Sequence, residues 1–314
     1  KAIKFKTTHG DQYSRLYSEE MITLMRSLQL PRYGLSKYIS EGKTVDASRH
    51  EQQLIENLSR AGQRMMGFCM STFFKRIDSS GFSFLLTLYR HILRNCVFIY
   101  ALNNDLPLPI SDENSLPEDY IEDEDVSTTV FGEQQDVMPT VGSTLQIPTD
   151  LTLYMTKAKD YYDVITNKNN VAWLPSRYFK KTLKQQLNKD CATLIQMIKL
   201  CGDWQQHTDE KLNELQKLIE VEHKADKIII FTQYSDTARY IYNQLRKRGI
   251  QAINYATGDS DNPTAIVERF SPISNGNSSL APEEQTRILI ATDVLSEGQN
   301  LQDAHVIVNF DLPW

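Results

Sequence analysis

Three polar stretches in the last third of the chain each stand directly behind a short apolar run. They are Thr232-Gln233-Tyr234-Ser235 behind KIIIF, Thr257-Gly258-Asp259-Ser260 behind QAINYA, and Thr292-Asp293 with Glu297-Gly298-Gln299-Asn300 behind RILIA. The first leads into a helix start, whose free N–H groups and dipole favour a phosphate. The second holds a glycine, which lets backbone approach a ligand closely. The third offers a hydroxyl, carboxylates and amides between two apolar runs. Taken singly, such residues after strands are ordinary caps and turns. Together they point to a site, because ligands of an open parallel sheet gather outside the carboxyl ends of its strands.

The elements that would position these loops alternate. KIIIFTQ reads as a strand buried on both faces, and Ser235 is expected to cap the helix DTARYIYNQLRKRG, with Ala238, Ile241 and Leu245 on one face. Arg246, Lys247 and Arg248 suit that helix's C-terminal dipole and Gly249 its stop. Strand QAINYA, a weak helix around PTAIVERF, strand RILIAT and strand HVIVNF follow, with a surface loop over 271–285. Strands separated by helices predict a parallel α/β sheet.

The earlier part reads differently. From Tyr13 to Asn103 the pattern is helical, with Leu54, Leu58, Met65 and Phe68 near the helix period and FSFLLTLYRHILRNCVFIYAL apolar on most sides, as a buried helix would be. Asp78-Ser79-Ser80-Gly81 marks the turn between two helices. Residues 106–149 are rich in proline and acids, with an unbroken acidic run from Glu122 to Asp125, and read as a solvated linker. Helical signals return over 150–222, where Thr208 is expected to cap a helix opening with Asp209 and Glu210.

The motifs KIIIFTQYSDTARYI, YATGDS…ERF and ILIATDVLSEGQNLQDAHVIVNFDLPW resemble the second RecA-like lobe of superfamily-two helicases and translocases, the Swi/Snf group and its bacterial RapA-like members above all. SRAGQRMMGFCMSTFFKRIDSSGFSFLLTLYRHILRN resembles the helical region with a Lys-Arg-Leu/Ile-x-Ser-Ser element that RapA-like proteins carry before that lobe. The resemblance implies a nucleic-acid-phosphate role for Thr232, Gln233, Tyr234, Ser235, Gly258, Asp259, Thr292 and Asp293. It also implies a place for Glu297, Gly298, Gln299 and Asn300 at the cleft between lobes, Asn300 facing the ATP ribose or the partner lobe. One departure stands out: Asp261-Asn262-Pro263 falls where the group usually has an arginine.

The expected fold is therefore α/β: a parallel-sheet RecA-like lobe, P-loop-NTPase-like but without its own P-loop, preceded by a mostly α-helical region. The segments are a helical accessory region 1–105, an acidic linker 106–149, a helical region 150–222 and an incomplete lobe 223–314. The resemblance implies a share in an ATP-dependent helicase or translocase, moving along nucleic acid, foremost double-stranded DNA. It implies ATP and Mg2+ in the whole protein, neither bound by this part alone. Partners would include a first RecA-like lobe outside the sequence and a protein such as RNA polymerase. The alternative is a non-catalytic interaction module of a transcription or defence complex.

Parts that catalysis would need are expected to lie elsewhere. A phosphate cradle needs G-x-x-x-x-G-K-[ST], and the trio Gly42-Lys43-Thr44 has Lys37 where the first glycine should stand. No acidic pair follows a buried strand, and the arginine-rich motif that would begin beyond Trp314 is missing, so no catalytic residue is assigned. With 34 basic and 40 acidic residues the net charge of -6 gives no overall nucleic-acid footprint. The four cysteines, Cys69, Cys96, Cys191 and Cys201, show neither metal nor disulfide spacing and read as reduced buried thiols of a cytoplasmic protein. No apolar run suggests a membrane span.

Overall fold

The computed structural model describes residues 11–111, 140–141, 144–167, 171–258, 260–292 and 300–311, and of residues 59–66, 68, 111, 140 and 141 the backbone only. The acidic run Glu122–Asp125 and the side chains at the expected apolar positions Met65 and Phe68 lie outside what is described. The chain forms two compact units. The lobe unit gathers the described residues of segments 1–14, 76–83 and 204–314, and the helical unit gathers 15–75 and 84–203.

In chain order the helices are α1 (Gln12–Leu16), α2 (Glu19–Ser27), α3 (Arg49–Ser79), α4 (Gly81–Asn103), α5 (Leu151–Thr166), α6 (Lys181–Cys201), α7 (Glu210–Lys217), α8 (Ser235–Lys247) and α9 (Pro263–Phe270). The strands are β1 (Leu108–Ser111), β2 (Thr140–Val141), β3 (Thr144–Leu145), β4 (Val171–Leu174), β5 (Trp204–Gln205), β6 (Ile228–Phe231), β7 (Ile253–Ala256), β8 (Ile288–Ala291) and β9 (Val306–Asn309).

The helical unit is built on apolar faces. Within α4, Phe84, Leu85, Leu88, Ile92, Cys96 and Val97 are fully buried, as a nearly continuous apolar run requires, while Arg90 and Arg94 stay partly exposed. His91 is buried beside the Tyr33 ring, stacked at 5.6 Å, and burial holds its imidazole well below the ordinary value. Helix α6 buries Leu183, Leu187, Cys191, Leu194 and Ile198 at helical spacing and packs against α2. All four cysteines are buried and none is in a disulfide. The expected linker contains strands: β1 pairs antiparallel with β4, Leu108 opposite Leu174, with Leu108 and Ile110 buried, and β2 pairs with β3. In β1, two apolar residues in alternation are too short a signal, and their partner lies some sixty positions downstream.

The lobe unit carries a four-stranded parallel sheet in the order β7-β8-β6-β9. Ile229, Leu289, Ala256 and Ala291 share one face with Val267 and Phe270 of α9. The alternate residues point to the other face, where α8 packs; there Tyr242 meets Tyr255 with ring centroids 4.9 Å apart. Burial on both faces is what a parallel sheet with crossover helices demands, and it explains the isoleucine-rich runs. Edge strand β9 alternates instead, with Ile307 66% exposed.

Two expected caps are corrected. Asp209, not Thr208, caps α7 by accepting from Leu212 N at 3.1 Å, and Ser235 is the first residue inside α8 while Tyr234 precedes it without a side-chain cap. Gly249 does end α8, in the left-handed region at φ 92°, with its N–H on Arg246 O. Among the described residues no helix is long and apolar enough to cross a membrane.

Phe270 fills the space between α9 and the sheet with no exposure. Phe270→Ala should lower unfolding stability by about 3 to 5 kcal/mol, read as a fall in the urea midpoint at unchanged slope.

Candidate nucleic-acid interface on the lobe

Register places the site. Phe231 pairs with Ala291 and Ala291 with Ala256, so the next residue of each strand, Thr232, Thr292 and Thr257, falls at one level across the carboxyl edge. The ladder continues into them: Thr232 N donates to Ala291 O at 3.0 Å and Thr292 N to Ala256 O at 3.1 Å. All three threonines are buried, so this row is the floor of the edge rather than its surface.

The first loop is held on both sides. Asp311, just beyond β9, accepts from Thr232 Oγ1 at 2.7 Å and from Gln233 N at 2.6 Å. Tyr234 is buried, with the Arg76 guanidinium 3.9 Å from its ring centre, and Ser235 is buried at the start of α8. Only Gln233 of the four expected contacts is exposed. The structure thus makes Thr232, Tyr234 and Ser235 the frame of this loop, with Gln233 its outward group.

In the second loop Thr257 and Ser260 close a small turn, Ser260 N donating to Thr257 O at 2.9 Å and Ser260 Oγ accepting from Thr257 N at 2.9 Å. Gly258 is exposed with nothing near its missing side chain, and Asp259 lies outside the described residues. Beside this turn opens a cavity of about 390 Å³ lined by Asn254, Tyr255, Thr257, Ser260, Asn262 and Arg269 among others. Asn262 caps α9 by accepting from Ala265 N at 3.0 Å. The residue found in place of the expected arginine therefore serves the helix start.

The third loop is described only at its ends: Thr292 and Asn300 are placed, whereas Asp293, Glu297, Gly298 and Gln299 fall outside the described residues. Asn300 is a brace. Its Nδ2 donates to Ser274 O at 2.7 Å, its carbonyl accepts from Asn275 Nδ2 at 2.9 Å, and so it ties the 271–285 loop to the stretch that leads into β9, on the side of the sheet where Lys227 opens β6 rather than at the threonine row. Asp303 completes this brace, accepting from Ile273 N, Ser274 N and Ser274 Oγ. Burial alone would raise the Asp303 carboxyl, but these hydrogen bonds, with Lys227 beyond them, hold it below its ordinary value.

Several residues that shape the site carry no sequence signal of their own. Lys211 Nζ donates to Asp78 O at 2.6 Å and Ser79 O at 2.8 Å and lies 3.9 Å from Asp311 Oδ1. Its burial lowers its pKa, against the pull of Asp311 and Asp209. Asp209 is fully enclosed and accepts from Tyr240 Oη at 2.7 Å and Tyr13 Oη at 3.1 Å besides capping α7. Burial raises its carboxyl despite these donors. Among the described residues no cluster of three or more His, Cys, Asp or Glu is arranged for a metal. Gly42-Lys43-Thr44 belongs to the helical unit, Gly42 and Lys43 on an exposed 3-10 turn, and does not form a strand-to-helix cradle that would fit a triphosphate.

With this geometry in place, comparison with known proteins is specific. Residues 210–314 match the helicase conserved C-terminal domain. The chain is 31% identical over 119 residues to the ATP-dependent RNA helicase SrmB of Haemophilus influenzae, covering 37% of this chain and 25% of SrmB. It is 25% identical over 178 residues to the ATP-dependent RNA helicase RhlB of Shewanella woodyi, covering 56% of this chain and 34% of RhlB. An uncharacterized ATP-dependent helicase of Bacillus subtilis, YqhH, is 32% identical over 89 residues, 28% of this chain and 14% of YqhH. The chain thus spans about a quarter of SrmB's length. No solved structure matches significantly. The matched segment and these relatives support a superfamily-two helicase C-terminal domain over residues 210–314, and the fold of the lobe is RecA-like. These relatives carry RNA-helicase or general helicase names, so the placement holds at the level of the superfamily, not of the Swi/Snf subgroup.

The Asp303 brace is pH-sensitive in a defined sense. A carboxyl held below its unfolded value stabilises above that value and loses the contribution as pH falls through its folded value. Acidification below about pH 4 should therefore lower the hydrogen-exchange protection factors, taken against the intrinsic rate at each pH, at Ile273 N and Ser274 N first. Asp303→Ala should produce the same loss of protection at neutral pH with little effect on β6 and β8 amides.

Proposed function

We propose that this chain supplies the second motor lobe of an ATP-dependent helicase or translocase, and that its three sheet-edge loops grip the backbone of a nucleic acid, double-stranded DNA in the first place. The observation that carries this reading is the level row of Thr232, Thr292 and Thr257, which sets three loops side by side at the carboxyl edge. Gln233 and the Gly258 backbone face outward from it and suit phosphate and sugar contacts that do not depend on sequence. The expected DNA preference rests on the Swi/Snf-like motifs and on Lys75-Arg76-Ile77-Asp78-Ser79-Ser80.

In this reading Thr232, Tyr234, Ser235 and Thr292 frame the grip, Asp259 and Asp293 orient its neighbours, and Glu297, Gly298 and Gln299 meet the other lobe. Asn300 serves that cleft indirectly, since its amide already braces Ser274. ATP and Mg2+ would be held mainly by a first lobe, and no step through them is assigned to these residues. Segments 1–105, 106–149 and 150–222 act as accessory region, linker and lead-in, open to a protein partner such as RNA polymerase, in a cytoplasmic protein.

A second reading has its own support. The names of SrmB and RhlB give RNA as their substrate class, and the loops described contain nothing that selects deoxyribose. A third reading, an interaction module without motor activity, would place binding in the helical unit and linker.

The test is equilibrium binding of a labelled DNA duplex and of an RNA of the same sequence. Gln233→Ala should weaken binding about threefold to tenfold, the worth of one or two phosphate-type hydrogen bonds. Unchanged affinity in Gln233→Ala and Thr292→Ala, with partner capture lost on deleting 112–139, which spares the buried strand β1, would establish the module reading instead. The chain alone should show no nucleic-acid-stimulated ATP turnover above that of a Glu297→Ala variant.

A further inference from the structure

The turn between α3 and α4, residues Arg76–Ser83, belongs to the lobe unit and not to the helical unit that holds the rest of both helices. Its partners explain why. Arg76 is fully buried, its Nη1 3.4 Å from Asp236 Oδ2 and its guanidinium over the Tyr234 ring at 3.9 Å. Ser79 Oγ and Ser83 Oγ share the Thr237 hydroxyl at 2.8 and 2.9 Å. Phe82 stacks on Tyr240 at 4.4 Å. Lys211 satisfies the last carbonyls of α3, at Asp78 and Ser79, and reaches toward Asp311, which binds Thr232 and Gln233 from the far side.

The loop is therefore clamped at both ends, by Asp311 at Thr232 and Gln233, and by the α3–α4 turn at Tyr234, Asp236 and Thr237. Between Thr232 and Ala238 only Gln233 is exposed. A wholly buried guanidinium cannot reach a phosphate itself. Its flat face and fork can instead fix an aromatic ring and a carboxylate at once, which a lysine ammonium cannot do.

We propose that Arg76 is a positioning residue for nucleic-acid binding: acting through Tyr234 and Asp236, it holds the Gln233 loop in the conformation that meets the strand. The proposal rests on the reading of Gln233 as a backbone contact and adds that the Lys-Arg-Ile-Asp-Ser-Ser turn, about 160 positions upstream of the loop, sets its competence. In population terms, losing the clamp lowers the fraction of chains with the loop in place and weakens binding by that fraction.

The experiment is a double-mutant cycle between two residues that do not touch, Arg76→Gln and Gln233→Ala, in the full chain. Affinity for a fluorescein-labelled DNA duplex and for the matching RNA is read by anisotropy across a salt series, well below each variant's melting midpoint. Arg76→Gln should weaken binding about tenfold while the slope of log affinity against log salt stays unchanged, because no phosphate contact is removed. Gln233→Ala should weaken the parent but add little in the Arg76→Gln background. Arg76→Lys should recover part of the loss. If Arg76→Gln does not fold, Arg76→Lys and Asp236→Asn each carry the same cycle.

Losses that simply multiply, an unchanged affinity in Arg76→Gln despite a lower melting point, or a salt slope reduced by about one would each overturn the positioning role while leaving the loop reading intact. An unchanged affinity in Gln233→Ala alone would remove the loop reading, and the positioning role with it.

Discussion

Parallel pairing is the constraint on which the lobe depends. Strands β7, β8, β6 and β9 all run one way, so every connection must cross over a face and every carboxyl end must lie along one edge. The pairing of Phe231, Ala291 and Ala256 then decides which residues stand at that edge together. A slip of one residue in any strand would turn its isoleucines from one face to the other and take its threonine out of the row. Core burial and site geometry are thus one specification: the apolar faces that lock the register also align Thr232, Thr292 and Thr257.

Polar order around the edge is achieved with buried charge, which is costly unless paired. Arg76 has Asp236 and the face of Tyr234, Lys211 has two helix-end carbonyls and Asp311, and Asp209 has two phenols and a backbone N–H. Such arrangements add little net stability compared with apolar residues of equal volume, but they penalise every alternative packing that strands a charge. Each of them ties a loop or helix end to one position.

This division explains what could be read from the residues alone. Strands β6 to β9, α4 and α8 were legible because apolar runs and helical spacing are local patterns. The caps were not: Ser235 looks like a cap, yet it lies inside α8, and Asp209 captures α7 because tertiary partners fix its carboxylate there. Tyr234 read as a surface contact because nothing near it in sequence announces Arg76. Asn300 read as a cleft residue, and its actual partner Ser274 sits in a loop whose sequence looks unstructured. The pair β1–β4 was hidden for the same reason, with a register that joins segments of little individual signal.

The same buried pairing bears on how an acidic chain can hold a polyanion. A net charge of -6 would repel a phosphate backbone if the grip relied on the overall field. Beside the first loop, however, Arg76 and Lys211 are enclosed and neutralised by Asp236 and Asp311, so these two cations act on the loop and not on the solvent. What the first loop and Gly258 present to solvent is neutral, an amide at Gln233 and backbone at Gly258. Preorganised neutral donors lose little side-chain entropy on binding and require few counterions to leave, so the affinity they supply depends more on loop geometry than on charge. Under the proposed positioning role, the α3–α4 turn would govern binding more directly than any added lysine.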